Sequence, residues 1–266
     1  MTYTVTPASF LARHAAVVLV DVIDAKGSTP RDAGAFMLVA EAVVFGTIGG
    51  GHLEFLAIEK ARTMLGTGER QAELDVPLGP EIGQCCGGRV KLALNCLTDE
   101  SRAAFVAEQA AAHHRLTQIH LYGAGHVGLA LAAALAPLPF NVTLIDTRAD
   151  IDGQVPDGIA FRRVAMPEAE IATLADGGAV IILTHDHALD FLIAKEALAR
   201  PDLRYIGMIG SATKRATFSR WLAREDAAGA DIGRLILPIG GTSVRDKRPQ
   251  VIAAMVAAEL LSTLLG

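Results

Sequence analysis

The second half of the sequence alternates short apolar stretches with longer segments of helical periodicity, and this alternation constrains the fold more than any other feature. The apolar stretches predict strands at residues 118–122, 141–146, 159–164, 179–184, 204–209 and 234–238. The helical segments fall at 127–136, 167–174, 189–199, 211–224 and 249–264. Strands that alternate with helices of this length predict a parallel sheet with right-handed crossovers and helices on its faces.

The first hundred residues are organised differently. Short β-rich stretches lie at 17–23, 35–39, 42–45, 72–76 and 89–95, whereas helical periodicity is confined to residues 52–64. A further helical segment connects this part to the alternating region. The predicted fold class is therefore α/β, with a smaller α+β domain at 1–98, a connecting helix at 99–116, and a parallel-sheet domain with a C-terminal helix at 117–266.

Composition narrows the functional classes. Of the 266 residues, 51% are apolar and 20% are charged, so we expect a folded protein with a substantial core. The net charge of −5 and the aromatic content of 5% argue against a nucleic-acid partner, which would favour basic and stacking surfaces. The N-terminus does not resemble a signal peptide, and no apolar run reaches the ~18–20 residues that span a bilayer. We therefore expect a cytoplasmic protein without a membrane partner.

A glycine pattern follows the first strand of the alternating region. Gly123, Gly125 and Gly128 form G-x-G-x-x-G before a predicted helix, and Asp146 ends the next strand. In this context the glycines permit a tight turn, approach of a phosphate and close helix packing, while the acid meets ribose hydroxyls. The pattern predicts a Rossmann-like domain that binds a nucleotide or a pterin phosphate; alternatively, the glycines serve only backbone packing. His126 is either solvent-facing or directed at the ligand.

Polar residues follow two later strands, at the sheet edge where open α/β folds bind ligands. His185, His187 and Asp190 follow one strand and suit a metal ion, although a capped, hydrogen-bonded loop is the favoured interpretation. Lys214 and Arg215 follow the next strand and lie near the start of a predicted helix. Positive charge near a helix N-terminus favours an anionic ligand.

Two segments of the first domain combine glycine with groups that suit an anion. Arg31 follows a proline in the turn at 26–31, and Gly49, Gly50 and Gly51 open a helix. The backbone N–H groups of such a glycine run either bind an oxyanion or simply close a tight loop.

A third segment places two thiols, Cys85 and Cys86, before a diglycine and Arg89. Free cysteines usually behave as small buried apolar residues. The glycines beside Cys86, however, leave the backbone open to close approach, and Arg89 would lower the pKa of a nearby thiol. A thiolate is the soft ligand that a transition-metal–sulfur centre needs, so both interpretations stay open. Cys96, among apolar neighbours in a strand, is predicted to lie in the core, and three cysteines do not form a disulfide framework.

Five motifs occur in order along the chain: Gly-Ser-Thr-Pro-Arg at 27–31, Gly-Gly-Gly-His-Leu-Glu at 49–54, Cys-Gly-Gly at 86–88, Gly-Ala-Gly-His-Val-Gly at 123–128 and Tyr-Ile-Gly-Met-Ile-Gly-Ser at 205–211. Together they resemble the XdhC/CoxI family of xanthine dehydrogenase accessory proteins, over nearly the whole length. The segments at 237–241 and 248–253 depart from the family pattern, which bears on the subgroup rather than on membership.

The resemblance implies a maturation factor rather than a turnover enzyme, with no catalytic residue assigned. Such proteins bind molybdenum cofactor (molybdopterin) while a cysteine desulfurase supplies its sulfido ligand, deliver it to xanthine dehydrogenase, and commonly form homodimers. Carried onto this chain, the resemblance implies that Cys86 contacts molybdenum or its sulfur, with Cys85 as a neighbour. It implies that Arg31 and the glycines at 49–51 hold an oxyanionic part of the cofactor. The glycine loop at 123–128, with Lys214 and Arg215 opposite, would receive the pterin phosphate or a nucleotide.

Two other functions fit parts of the sequence. The glycine pattern and Asp146 are also typical of an NAD(P)-dependent oxidoreductase, in which the carboxylate would favour NAD over NADP. A scaffold whose Rossmann-like domain has lost its ligand is the third alternative, and the intact glycine pattern argues against it.

Overall fold

The computed structural model describes residues 6–79, 87–149, 151, 154–225 and 231–266. The chain divides into two compact units, 1–111 and 112–266, which are described separately. Within the described residues, no helix combines the length and apolar character that crossing a membrane requires.

The N-terminal unit is built on an antiparallel sheet. Its elements are α1 (Pro7–Arg13), β1 (Val18–Lys26), β2 (Phe36–Val39), β3 (Val44–Gly46), α2 (Gly51–Thr67), β4 (Gln71–Pro77) and β5 (Arg89–Cys96), followed by α3 (Asp99–His114), which extends beyond the boundary of the unit. The strand order is β3-β2-β1-β5-β4, and all neighbouring pairs are antiparallel. In the central pair, Val20 of β1 lies opposite Leu94 of β5.

The two faces of this sheet are covered by different helices. On one face, α2 buries the stripe that its helical spacing predicts, including Leu53, Ala57 and Met64. On the other face, α1 and α3 contribute Phe10 and Phe105 to a smaller cluster. Helix α1 is not among the predicted elements, although Thr6 and Ser9 form a capping box at its start.

The C-terminal unit is a parallel sheet with helices on both faces, which confirms the predicted fold class. Its elements are β6 (Thr117–Tyr122), α4 (His126–Leu135), β7 (Phe140–Asp146), β8 (Ala160–Arg163), a 3₁₀ helix (Pro167–Thr173), β9 (Ala179–Ile182), α5 (His187–Leu198), β10 (Tyr205–Met208), α6 (Ala212–Arg224), a second 3₁₀ helix (Ile232–Arg234), β11 (Leu235–Ile236) and α7 (Pro249–Leu264). The segment predicted as a helix at 167–174 is thus a short 3₁₀ helix, because the chain returns to an extended conformation at Leu174.

The strand order of this sheet, β11-β10-β9-β6-β7-β8, determines where a ligand can enter. The chain starts in the middle at β6, runs outward through β7 and β8, and then crosses to β9 on the other side. The connections after β6 and β9 therefore diverge, and they leave a crevice at the carboxyl ends of these two strands. The core lies on both faces of the sheet, under α4 and α7 on one side and under α5 and α6 on the other.

Candidate functional site

The three glycines of the G-x-G-x-x-G pattern have different structural roles, with Gly123 and Gly125 in the loop between β6 and α4 and Gly128 in the first turn of α4. Gly123 has a φ of 107°, and a methyl group there would lie 2.6 Å from the carbonyl oxygen of Leu183. A methyl group at Gly128 would lie 1.9 Å from the carbonyl oxygen of Gly123, so both positions require glycine for packing. A methyl group at Gly125 would meet no atom of the described residues within 4 Å. Packing therefore explains Gly123 and Gly128, whereas Gly125 faces open space.

The backbone N–H groups at the start of α4 are a second feature of this loop. Gly125 is the N-cap residue, and no side chain among the described residues caps the first turn of the helix. His126, the first residue of α4, is exposed. A helix that begins with uncapped N–H groups has the polarity that favours a phosphate.

Asp146, at the end of β7, is buried beside this loop and receives four hydrogen bonds. Its Oδ2 accepts from Ala124 N (2.7 Å) and Arg148 Nη2 (2.9 Å), and its Oδ1 accepts from Arg148 N (2.9 Å) and Nε (3.0 Å). Burial alone would raise the pKa of this carboxyl, but the hydrogen bonds from Arg148 and Ala124 outweigh burial and lower the pKa to about 2. The glycine pattern and the acid do not predict a role for Arg148, although an arginine two positions after the acid is a signal in the sequence.

A small pocket lies at this edge of the sheet. It is lined by residues from the ends of the strands and the segments that follow them: Tyr122, Gly123, Ile145, Asp146, Thr147, Pro167, Thr184, His185 and Leu189. The structure thus brings Gly123 and Asp146 together with the loop after β9, as expected for the crevice of an open α/β sheet.

The histidines after β9 belong to a capped turn. Asp186 caps α5 by accepting hydrogen bonds from Ala188 N (2.7 Å) and Leu189 N (3.4 Å). His185 and His187 are exposed on either side of this cap. The observed cap agrees with the capped-loop interpretation, and Asp190 is paired with Lys214. Within the described residues, no group of His, Cys, Asp or Glu side chains is placed to hold a metal ion.

Lys214 and Arg215 both have partners within the C-terminal unit. The Lys214 ammonium pairs with the carboxylate of Asp190, which is fully buried, and donates to the carbonyl oxygen of Ile209 (2.9 Å). The Arg215 guanidinium donates to the carbonyl oxygens of Leu235 (2.7 Å) and Ile232 (3.2 Å). A ligand that draws on either charge would have to share it with these partners.

In the N-terminal unit, three of the sequence motifs meet at one place. Ser28 forms a parallel β-bridge with Gly87, and a methyl group at Gly88 would lie 2.3 Å from the carbonyl oxygen of Ser28. A methyl group at Gly49 would lie 2.4 Å from Pro30 Cγ and 3.6 Å from Arg31 Cγ. The glycines of the second and third motifs therefore allow both segments to pack directly against the turn at 27–31. We call this arrangement the motif cluster.

Two of the predicted site residues, Cys85 and Cys86, lie outside the described residues. Gly87 follows Cys86 directly in the sequence, and Gly87 belongs to the motif cluster. Arg89, which the sequence analysis considered as a group that lowers a thiol pKa, forms a two-pronged ion pair with Asp75 at 2.6 and 2.9 Å. Its charge is therefore already compensated by a carboxylate.

The glycine run at the start of α2 is organised by Glu54, a residue that the sequence analysis quoted only as part of a motif. Glu54 Oε1 accepts hydrogen bonds from Ile48 N (3.0 Å), Gly50 N (2.9 Å) and the Thr47 hydroxyl. Burial alone would raise the pKa of Glu54, but these hydrogen bonds outweigh it and hold the pKa below its usual value. The loop thus already contains one anion from its own chain. Arg31, beside it, is exposed.

We expect Glu54→Gln to loosen this loop and destabilise the N-terminal unit by about 1–3 kcal/mol, because hydrogen bonds to a carboxylate are stronger than those to an amide. Denaturant unfolding at neutral pH measures the effect, and Glu59→Gln, on the exposed side of the same helix, is the matched control. A depressed folded-state pKa stabilises above the unfolded value of about 4, so the difference should shrink as the pH falls below 4. Equal unfolding midpoints for the two variants at neutral pH would contradict the role of Glu54.

The fold and the glycine loop define a class of protein, in which a Rossmann domain follows a small α+β domain. A family model for the XdhC Rossmann domain matches residues 119–260, more than half of the chain, and a model for the XdhC and CoxI family matches residues 10–76. The chain belongs to the XdhC family, which confirms the resemblance found in the sequence.

Two known proteins resemble this chain over most of its length. A protein from Escherichia coli (strain K12), named uncharacterized protein YqeB, is 27% identical over 252 residues, which are 91% of this chain and 42% of the relative. The chain therefore spans less than half the length of that relative. A crystal structure from Bacillus halodurans, described as a xanthine dehydrogenase, has a TM-score of 0.75 at 18% identity and covers 98% of this chain and 96% of its own. This likeness shows a shared fold.

Proposed function

We propose that the protein binds molybdenum cofactor and acts as a maturation factor that supports sulfuration of the cofactor and its insertion into xanthine dehydrogenase. The observation that carries the proposal is the motif cluster, in which the turn at 27–31, the glycine run at 49–51 and the diglycine after Cys86 come together. Membership of the XdhC family and the fold shared with the Bacillus halodurans structure support it.

The motif cluster has the chemistry for the metal end of the cofactor. In the proposal, Cys86 provides the soft thiolate that suits molybdenum or its sulfur, with Cys85 as a neighbour. The exposed guanidinium of Arg31 offers a planar set of donors for an oxyanion. Because Glu54 engages Ile48 N and Gly50 N, the glycine run contributes mainly shape, by letting Gly49 pack closely on Pro30 and Arg31.

The loop between β6 and α4 has the chemistry for the phosphate of the pterin or of a nucleotide attached to it. The uncapped first turn of α4 offers N–H donors, and the missing side chain of Gly125 leaves room for phosphate oxygens. Lys214 and Arg215, which the resemblance assigns to the same phosphate, are engaged by Asp190 and by the carbonyl oxygens of Leu235 and Ile232, so a phosphate would have to share their charge. The proposed partners are a cysteine desulfurase, xanthine dehydrogenase and a second copy of this chain, in the cytoplasm.

Co-expression in a host that makes molybdenum cofactor tests the proposal. We expect the purified protein to carry molybdenum and pterin, and we expect Cys86→Ala to reduce bound molybdenum by about tenfold or more, since a metal–thiolate bond is lost. Cys96→Ala is the matched control and should retain the metal, because Cys96 Sγ contacts the carbonyl oxygen of Glu69 (3.2 Å).

The two possible negative results would overturn different parts of the proposal. Wild-type protein without molybdenum or pterin would overturn cofactor binding altogether. Equal molybdenum in the wild type and in Cys86→Ala would leave cofactor binding in place and overturn the contact with Cys86.

The alternative function is an NAD(P)-dependent oxidoreductase, and its NAD-binding form depends on Asp146 receiving the hydroxyl groups of a ribose. The four hydrogen bonds that Asp146 already accepts count against that role. The glycine loop suits both functions, and the engagement of Asp146 counts only against NAD as the ligand; family membership is what favours the maturation factor.

A further inference from the structure

In a dinucleotide-binding Rossmann domain, the acid at the end of the second strand hydrogen-bonds the ribose hydroxyls of the ligand. Here that acid is Asp146, at the end of β7, and its carboxylate is directed at its own chain. One oxygen is shared between the glycine loop, through Ala124 N, and the Arg148 side chain; the other is held by the backbone and side chain of Arg148.

The carboxylate has no acceptor capacity left for a diol. An ionised carboxylate offers about four lone-pair positions, and four donors fill them at 2.7–3.0 Å. Two ribose hydroxyls would have to displace the two-pronged contact with Arg148, which is both charge-assisted and geometrically matched. A neutral diol cannot replace that contact without leaving a buried charge unpaired.

Arg148 is accessible to a ligand even though it is bound to Asp146. Its side chain is 40% exposed, compared with 5% for the side chain of Asp146. A ligand that approaches the end of β7 therefore meets a guanidinium, whose orientation the carboxylate fixes. A guanidinium held in this way suits a phosphate and not a neutral diol.

We propose that Arg148 determines the specificity of the Rossmann site, and that the site selects ligands that carry a phosphate at the position where NAD has an unmodified ribose. Asp146 acts as a positioning residue, which ties the glycine loop and Arg148 into one unit. The inference rests on the proposed function to the extent that the glycine loop receives a phosphorylated ligand. It reverses the preference for NAD that the sequence position of Asp146 predicts.

NADPH and NADH are the probes, because they differ by one phosphate at this position. We expect the full-length protein to bind NADPH about tenfold more tightly than NADH in a fluorescence titration, since the phosphate gains charge-assisted hydrogen bonds. We expect Arg148→Gln to abolish the preference through two effects. NADPH should bind more weakly because the guanidinium is lost, and NADH should bind more tightly because Asp146 is released. A variant that merely perturbs the fold would weaken both ligands together.

Two further variants make the test independent of folding. Arg220→Gln removes the same charge from the exposed side of α6, where its side chain contacts the carbonyl oxygen of Ala216, and should keep the preference. Arg148→Lys keeps the charge without the two-pronged geometry and should show an intermediate preference; it also replaces Arg148→Gln if that variant fails to fold.

Equal affinities for NADPH and NADH in the wild type, or no NADPH binding at about 1 mM, would overturn the specificity assigned to Arg148. Neither outcome touches the proposed function, which is decided separately by the molybdenum and pterin content of the purified protein. Conversely, a clear NADPH preference in a protein that never carries molybdenum or pterin would overturn the proposed function and leave the role of Arg148 in place.

Discussion

Replacing Lys214 by methionine is expected to destabilise the C-terminal unit by about 3–5 kcal/mol, the effect of breaking a buried ion pair on one side. Asp190 is fully buried, the Lys214 side chain is 9% exposed, and the one further hydrogen bond to the carboxylate from the described residues comes from the Thr184 hydroxyl at 2.6 Å. The variant therefore strands a negative charge inside the protein. Denaturant unfolding, followed by a signal from Trp221 on α6, measures the loss.

Two companion variants identify the cause. Lys195→Met breaks the pair with Glu225, whose side chain is 40% exposed, and should cost at most about 1 kcal/mol. Combining Lys214→Met with Asp190→Leu removes both charges and should recover much of the lost stability, since apolar replacement of a complete buried pair is often neutral. Similar losses for Lys214→Met and Lys195→Met would show that the buried pair has no special weight.

The second large expected effect is a difference in stability between alanine variants of two glycines of one motif, Gly128 and Gly125. Gly128→Ala is expected to cost about 3 kcal/mol, because its methyl group would lie 1.9 Å from a backbone oxygen that cannot move alone. Gly125→Ala should cost no more than about 1 kcal/mol, since the residue has a φ of −77° and open space beside it. Thermal unfolding of the two variants measures this difference.

The variant with the smaller expected effect on stability, Gly125→Ala, is expected to have a large effect on ligand binding. Gly125→Ala should fold and yet lose most of its bound pterin after co-expression, because the methyl group occupies the space proposed for phosphate oxygens. If Gly125→Ala retained the pterin content of the wild type, the loop between β6 and α4 would not be where the phosphate binds.

The sequence was sufficient to predict the fold class, because each local signal agreed with the global pattern. The strand before Gly123 and the helix after it follow from apolar periodicity and a glycine motif, and the structure has them as β6 and α4 within one or two residues. The strand order was not predictable at the same level. It depends on which crossover returns to the centre of the sheet, and β9 pairs with β6 across a separation of some sixty residues.

The candidate site was predicted by residue type but not by partner. Lys214 and Asp146 were both singled out from the sequence as ligand-binding groups, yet each is engaged by another side chain, Asp190 in one case and Arg148 in the other. Periodicity and motif spacing place a residue on an element, whereas a charged side chain finds its partner through tertiary packing. Glu54 is a further example of a side chain whose partner the sequence does not identify. Its spacing from the glycine run indicates the start of a helix, but it does not indicate that the carboxylate accepts hydrogen bonds from the loop.

The environment of Cys96 bears on how alkylation of the native protein can be interpreted. It lies at the end of β5, half-buried at the margin of the core rather than within it, and its thiol donates to the carbonyl oxygen of Glu69. Burial, the largest influence, raises the pKa of this thiol, so little of it is thiolate at neutral pH. An alkylating reagent should therefore label Cys96 slowly, and rapid incorporation into the native protein would report directly on Cys85 and Cys86.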